Sequence, residues 1–305
     1  MRTAIIDLGT NTFNLLIADI SENVEIICNQ KIAVKLGEGG ILNKVIAPPA
    51  FERGVNALKV FKEICNEHCV ETIVAFGTSA VRSAINIIQF IDEIFSATNI
   101  VVTVIDGARE AELIYKGVKL GTQLNNKISL IMDIGGGSTE FIIANNEQLF
   151  WKQSFEIGAS RLLETIKPSD IILDTEIAIT ETIILQTLAP LFAACEQYEI
   201  VELIGSSGSF DTFAEVIGFR KNEPLNLIEN KEYQFNLDEF FEVHKLLLGS
   251  SYQQRLNTKG IIPIRAEMIV ISGILTNFVL QKLNINKMRL STYALKEGVL
   301  SEMIN

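Results

Sequence analysis

One pattern of residues occurs twice in this chain at a fixed interval. Ala4-Ile5-Ile6-Asp7-Leu8-Gly9-Thr10-Asn11-Thr12 returns as Leu130-Ile131-Met132-Asp133-Ile134-Gly135-Gly136-Gly137-Ser138-Thr139-Glu140, with Asp133 placed 126 positions after Asp7. Each copy is an apolar run ending on aspartate, a loop of small residues, and a second apolar run, which reads as a strand–turn–strand hairpin. A second pair follows the same rhythm. Thr72-Ile73-Val74-Ala75-Phe76-Gly77-Thr78-Ser79-Ala80 is matched by Val201-Glu202-Leu203-Ile204-Gly205-Ser206-Ser207-Gly208-Ser209, with Gly205 placed 128 positions after Gly77. Both read as a buried strand, a small-residue turn and a helix start. Two motif pairs at nearly equal offsets imply a duplicated unit of hairpin, further strands, helix and strand–loop–helix. Hairpins make the sheets mixed rather than all-parallel. The expected architecture is therefore α/β, two domains of similar topology facing a cleft. The polar segment 121–127 precedes the second hairpin. It divides the chain into 1–122 and 123–305, with a C-terminal helix near 295–305 expected to pack back on the first domain.

The remaining helices follow from spacing. Phe51, Val55, Leu58, Phe61 and Cys65 recur at helical intervals after Pro48-Pro49. Ala84, Ile87, Ile88, Ile91 and Ile94 predict another helix. Residues 174–195 predict a long one interrupted near Pro190, and 264–283 a core helix.

With 305 residues, 48% hydrophobic and 21% charged, the chain can bury a substantial core. No apolar run reaches the ~18 residues of a membrane span. Met1-Arg2-Thr3 leads straight into a strand, so a cytoplasmic protein without membrane attachment is expected. Cys28, Cys65, Cys69 and Cys195 have no disulfide or zinc-ribbon spacing and are read as reduced. Cys65, His68 and Cys69 lack a second ligand pair for a metal. A net charge of −11 argues against binding a nucleic-acid duplex, and any phosphate-rich ligand must be attracted locally. The basic pairs Lys31/Lys35 and Arg161/Lys167 either contribute to that local attraction or, as the favoured reading, are solvated faces.

The chemistry suggested is phosphate binding. Small residues let backbone N–H groups converge on an anion, so Gly9, Thr10, Asn11 and Thr12, with Gly135, Gly136, Gly137, Ser138 and Thr139, are candidate phosphate cradles. Asp7 and Asp133, at symmetric strand ends, are candidates to hold Mg²⁺ directly or through water. Glu140 is either a further ligand of metal or metal-bound water, or a polar residue opening a strand. Arg82 follows Thr78 and Ser79 just inside a helix, where it reaches phosphate oxygens or forms a surface ion pair. Gly205, Ser206 and Ser207 line the opposite wall. Glu110 sits in a first helical turn after Asp106-Gly107; there a glutamate is ordinarily a dipole partner, but this one can face the cleft. Arg265 is either part of a buried structural pair, the favoured reading, or a phosphate contact, and His68 and His244 read as surface or packing residues. No Ser–His–Asp set is evident.

Over essentially its whole length the chain resembles the exopolyphosphatase/guanosine pentaphosphate phosphohydrolase (Ppx/GppA) family. The resemblance rests on Asp7-Leu8-Gly9-Thr10-Asn11-Thr12, on the string from Gly77 to Asn86, on Asp106 to Ile114, and on Asp133 to Glu140. It implies a duplicated actin-like ATPase (ribonuclease H-like) fold in the short, two-domain form, and Glu110 as the base that activates water. Asp133 and Glu140 complete the implied catalytic set, with Mg²⁺ or another divalent cation as cofactor. Three segments depart from the family pattern. Arg109 and Glu112 carry swapped charges, Glu267 replaces an aspartate, and Ala294-Leu295-Lys296-Glu297-Gly298 has two changes. The implied activity is release of terminal phosphate from polyphosphate; the alternative within the family is hydrolysis of guanosine pentaphosphate. A small-molecule kinase and a non-catalytic polyphosphate or nucleotide sensor are the competing classes. A homodimer is expected at family level only.

Overall fold

The computed structural model describes residues 1–21 and 24–304. Two mixed sheets stand face to face. The first contains β1 (Arg2–Leu8), β2 (Thr12–Ile20), β3 (Val24–Ala33), β4 (Thr72–Gly77) and β5 (Val102–Val104), in the order β3-β2-β1-β4-β5. The second contains β6 (Ile128–Ile134), β7 (Thr139–Ala144), β8 (Leu149–Phe155), β9 (Ile200–Ser206), β10 (Glu232–Phe235) and β11 (Met288–Ser291), ordered β10-β11-β9-β6-β7-β8. In each sheet the motif hairpin is antiparallel, and its first strand also pairs parallel with the strand of the second motif. The duplication seen in the sequence is thus a duplication of topology.

Strand parity explains how the sheets are used. Ala4, Ile6 and Leu8 face a core under the first sheet, whereas Ile5 faces the second sheet; Leu130, Met132 and Ile134 divide from Ile131 in the same way. A third core, shared by both sheets, joins Ile5 and Leu16 to Ile131, Ile142 and Ile204. Two helices fill it, Gly107–Gly121 and Leu295–Ile304. Their backbones nearly touch: a Cβ on Gly117 would lie 1.8 Å from the Ala294 carbonyl oxygen, and one on Gly298 1.8 Å from that of Leu113. The C-terminal helix packs on Gly107–Gly121 and on β1 and β2 of the first half.

Several expectations change in detail. The helix expected over 84–94 begins only at Ile87 and runs to Thr98; Ala84 instead ends the short helix Ser79–Ser83, and between the two Asn86 hydrogen-bonds both the N–H and the carbonyl of Ile46. The 174–195 helix breaks near Pro190 into Asp174–Thr187 and Ala189–Cys195, bent by 62°. The core helix begins at Ile269, after a separate 3₁₀ turn Pro263–Arg265. Among the described residues no single helix is long and apolar enough to cross a membrane. All four cysteines are free, and His244 packs against Phe240, where burial holds its pKa down at about 4.

Candidate active site

Asp7 and Asp133 continue the parity of Ile5 and Ile131. They lie one step further along their strands on the face between the sheets, where that shared core gives way to a cleft. Both line this cleft, of about 140 Å³. The rungs beside them are equivalent. Asp7 pairs with Asn14, which pairs with Lys31; Asp133 pairs with Glu140, which pairs with Ser154. The first rung therefore presents a carboxylate, an amide and a cation. The second presents two carboxylates and a hydroxyl.

Each hairpin loop has its carbonyls occupied from behind. Thr10 O accepts from Gly37 N, and Asn11 O from Val34 N and Lys35 N; Gly135 O accepts from Ala159 N, and Gly136 O from Ser160 N and Arg161 N. The amides of Thr10, Asn11, Gly136, Gly137 and Ser138 donate to no acceptor among the described residues, leaving them for an anion. None of the three glycines in the second loop has positive φ. Their requirement is space. A Cβ on Gly136 would lie 2.5 Å from Asn11 Nδ2, and one on Gly137 2.5 Å from Ser79 Oγ. The lobes are closed on each other, with further ties from Ser160 Oγ to Asn11 Oδ1 (2.9 Å) and from Arg161 Nη1 to the Ile41 carbonyl (3.2 Å). Arg161 is therefore a bridging residue rather than part of a solvated face.

Burial dominates the electrostatics. Glu110 and Glu140 are 7% and 1% exposed. Glu110 receives a hydrogen bond from Arg82 Nη1 at 2.7 Å, yet burial, reinforced by the negative charge of Glu140, drives its pKa well above the usual carboxylate value. Glu140 Oε1 accepts from Ser138 Oγ (2.7 Å) and Ser154 Oγ (2.6 Å); burial and the Asp133 charge still push it up to about 7. Burial also raises Asp7, to about 6, against a hydrogen bond donated by Asn14. Asp7 Oδ1 and Ser79 Oγ are buried without a hydrogen-bond partner. Asp133 accepts from Ser206 Oγ (2.6 Å) and Ser207 Oγ (2.7 Å), and burial raises its pKa.

Most of the expected site residues converge on this cleft, including Gly9, Thr12 and Thr78. Four do not line it. Thr139 and Gly205 have the wrong strand parity: the Thr139 hydroxyl donates to the Ile157 carbonyl, and the ring of Phe210 covers Gly205. Ser206 is spent on Asp133, and Arg82 stands behind Glu110 rather than against the loops. Other cleft residues are not set apart by the sequence. Lys31 lines the cleft, reachable by water but ringed by protein, and Arg265 lines it too instead of serving a purely structural pair. Asp211, Lys296 and Glu297 join them. Extending the hairpin register by one strand would have found Lys31. The swapped pair is away from the cleft: Arg109 bonds Glu112 and Glu302, while Glu112 meets Lys116 and Lys152.

The cleft collects six carboxylates (Asp7, Glu110, Asp133, Glu140, Asp211, Glu297) against three cations, Lys31, Arg265 and Lys296. That excess of acid, with the orphaned Asp7 oxygen, suits a hard divalent cation that prefers oxygen ligands. Among the described residues no three acidic, cysteine or histidine side chains form a ready-made cluster. Water and substrate oxygens would complete the shell of such an ion.

The Ppx/GppA phosphatase family matches residues 16–305. A crystal structure of an exopolyphosphatase from Cytophaga hutchinsonii superposes with a TM-score of 0.97 at 43% identity, covering 100% of this chain and 98% of that one. A Haemophilus influenzae protein whose name marks it as a candidate exopolyphosphatase is 28% identical over 97% of this chain and 90% of its own length. The guanosine-5'-triphosphate,3'-diphosphate pyrophosphatase of Aliivibrio fischeri is 27% identical over 99% of this chain, which spans only 59% of that protein.

Proposed function

The chain belongs to the Ppx/GppA phosphatase family, whose members hydrolyse phosphoanhydrides, and from that premise we propose that it is an exopolyphosphatase, releasing terminal orthophosphate from inorganic polyphosphate. The observation that carries the reading is that unpaired amides of both hairpin loops line one cleft with the buried Glu110, which Arg82 holds from behind. The loop amides and Ser79 Oγ hold the terminal phosphate, whose charge they meet without reorganising. Arg82 fixes the orientation of Glu110. A carboxylate whose pKa is raised by burial is a stronger base than a solvated one. Glu110 takes a proton from water as the water oxygen bonds to phosphorus; the bridging P–O bond breaks, and the shortened chain leaves with the bridging oxygen and its electron pair. Asp7, Asp133 and Glu140 would hold Mg²⁺ or a similar cation, which supplies charge neutralisation to the phosphates when bound. Lys31, Arg265 and Lys296 neutralise phosphates further along.

Polyphosphate is favoured over guanosine pentaphosphate by the lining. No aromatic side chain faces the cleft among the described residues, so a base finds no stacking platform. The 140 Å³ volume also falls below the ~300–1,000 Å³ of sites that enclose drug-sized molecules. Phosphate release from long-chain polyphosphate, guanosine pentaphosphate and ATP, each with Mg²⁺, tests the proposal. Polyphosphate is expected to be the preferred substrate; preference for the pentaphosphate would replace this reading with the second family activity. Glu110→Gln is expected to lose about 10²–10⁴-fold in turnover while retaining polyphosphate binding. Wild-type turnover would remove Glu110 from its role.

A further inference from the structure

A second cavity, of about 390 Å³, lies in the second lobe and shares no lining residue with the catalytic cleft. It is bounded by the helix Ala159–Ile166, the segment 167–172 and the start of the helix Ile269–Lys282. Its wall is apolar, built from Leu163, Ile172, Val270 and Ile271. Arg255 lines it too, although the residue is only 6% exposed.

That guanidinium is incompletely satisfied. Its Nε donates to the Ala266 carbonyl at 2.7 Å, and Nη1 to the carbonyls of Ser250 and Asp170. Among the described residues Nη2 donates to nothing. Its nearest carboxylate oxygen, Asp170 Oδ1, is 4.0 Å away and already accepts from Tyr252 N. A buried cation met by carbonyl dipoles and by one exposed carboxylate at 4.0 Å retains much of its desolvation cost, which an anion placed against Nη2 would relieve. The rim has the opposite sign. Glu164, Asp170 and Glu267 stand there against Lys167, and the side chains of Asp170 and Glu267 are 63% and 52% exposed.

A buried cation, an apolar wall and an acidic rim together match a zwitterion with an apolar body. We propose that this cavity binds an apolar α-amino acid, with its carboxylate on Arg255, its ammonium at the acidic rim and its side chain against Leu163, Val270 and Ile271. The chain ties the cavity to the catalytic cleft through one short segment. Ala266, whose carbonyl holds Arg255, stands between Arg265, which lines the cleft, and Met268, whose sulfur accepts from Asn11 of the first loop.

Isothermal titration of the full chain with L-leucine tests the site, with 3-methylbutylamine (no carboxylate) and 4-methylpentanoate (no ammonium) as matched probes. Leucine is expected to bind saturably, and each truncated probe at least about tenfold more weakly, because each forfeits one charged contact. Leu163→Trp adds bulk to the cavity wall and alters neither Arg255 nor a catalytic residue. It is expected to abolish leucine binding and leave polyphosphate hydrolysis unchanged. Failure of leucine to saturate by about 10 mM would overturn the assignment. So would undiminished binding in the Leu163→Trp protein, or equal binding of either truncated probe.

Discussion

Gly137→Ala is a small change that addresses lobe closure directly. The backbone at Gly137 is one that alanine adopts freely, so the substitution adds only a methyl group. That methyl would lie 2.5 Å from Ser79 Oγ, 2.8 Å from Thr10 Oγ1 and 3.1 Å from Ser79 Cβ, all on the opposite lobe. Contacts between heavy atoms become comfortable only near ~3.5 Å, so the lobes must part or the side chains must turn. Overpacking of this kind costs about 1–3 kcal/mol. The contacts exist only when the lobes meet, so the cost falls on the closed state and not on either lobe's own core. The closed population, and with it kcat/KM for polyphosphate, is expected to fall about 5–150-fold. The melting temperature should move by less than about 2 °C. Phosphate release at limiting polyphosphate, paired with a thermal melt, reads both quantities. Wild-type kcat/KM would refute the argument that catalysis requires the loops to touch, and a large fall in Tm would relocate the damage to folding.

Three further outcomes follow from the same structure. Glu140→Gln keeps an acceptor for Ser138 and Ser154 but removes a titrating group. Because the folded state raises this carboxyl from 4.5 to about 7, its contribution to wild-type stability is full below about pH 4.5 and is lost as pH rises through 7. In chelator the variant should therefore gain up to roughly 3 kcal/mol relative to wild type between pH 4.5 and 8, measured by urea unfolding; a constant difference across that range would contradict the assigned shift. Arg109→Ala breaks a partly exposed network, so the expected loss is about 1 kcal/mol or less with unchanged kcat, and a collapse of activity would bring the swapped Arg109/Glu112 pair into the site. Gly298→Ala forces a methyl to 1.8 Å from the Leu113 carbonyl oxygen and is expected to destabilise by at least about 1–3 kcal/mol on calorimetry, whereas a neutral effect would mean that the two helices separate easily.

The sequence disclosed what repeats and hid what does not. Asp7 and Asp133 were legible because period-two alternation and a fixed offset specify both their strands and their faces. The same parity, carried one residue further, would have turned Thr139 and Gly205 inward. Arg82 was legible as a cation near the phosphate loops but not as the partner that stands behind Glu110, because their contact joins residues 28 positions apart on separate helices. Lys31, Asp211, Arg265 and Lys296 come from four unrelated elements, and no local pattern distinguishes a lysine at the edge of a cleft from one in solvent. The duplication itself concealed a divergence. Asn14 and Glu140 occupy equivalent rungs, so the halves share geometry but not charge.

The helix Leu295–Ile304 has a consequence for how this protein comes into being on a ribosome. Leu295, Val299 and Leu300 supply part of the apolar filling between the two sheets, and Lys296 and Glu297 from the same turns face the cleft. The two halves can each begin to collapse during translation, since each sheet has its own core. Their joint seam stays unfilled, with Ile5, Ile131 and Ile204 lacking part of their cover, until residues 295–300 clear the exit tunnel. Nascent chains stalled shortly before that point should expose sticky surface to chaperones and lack activity, and competence should arrive as a single late step.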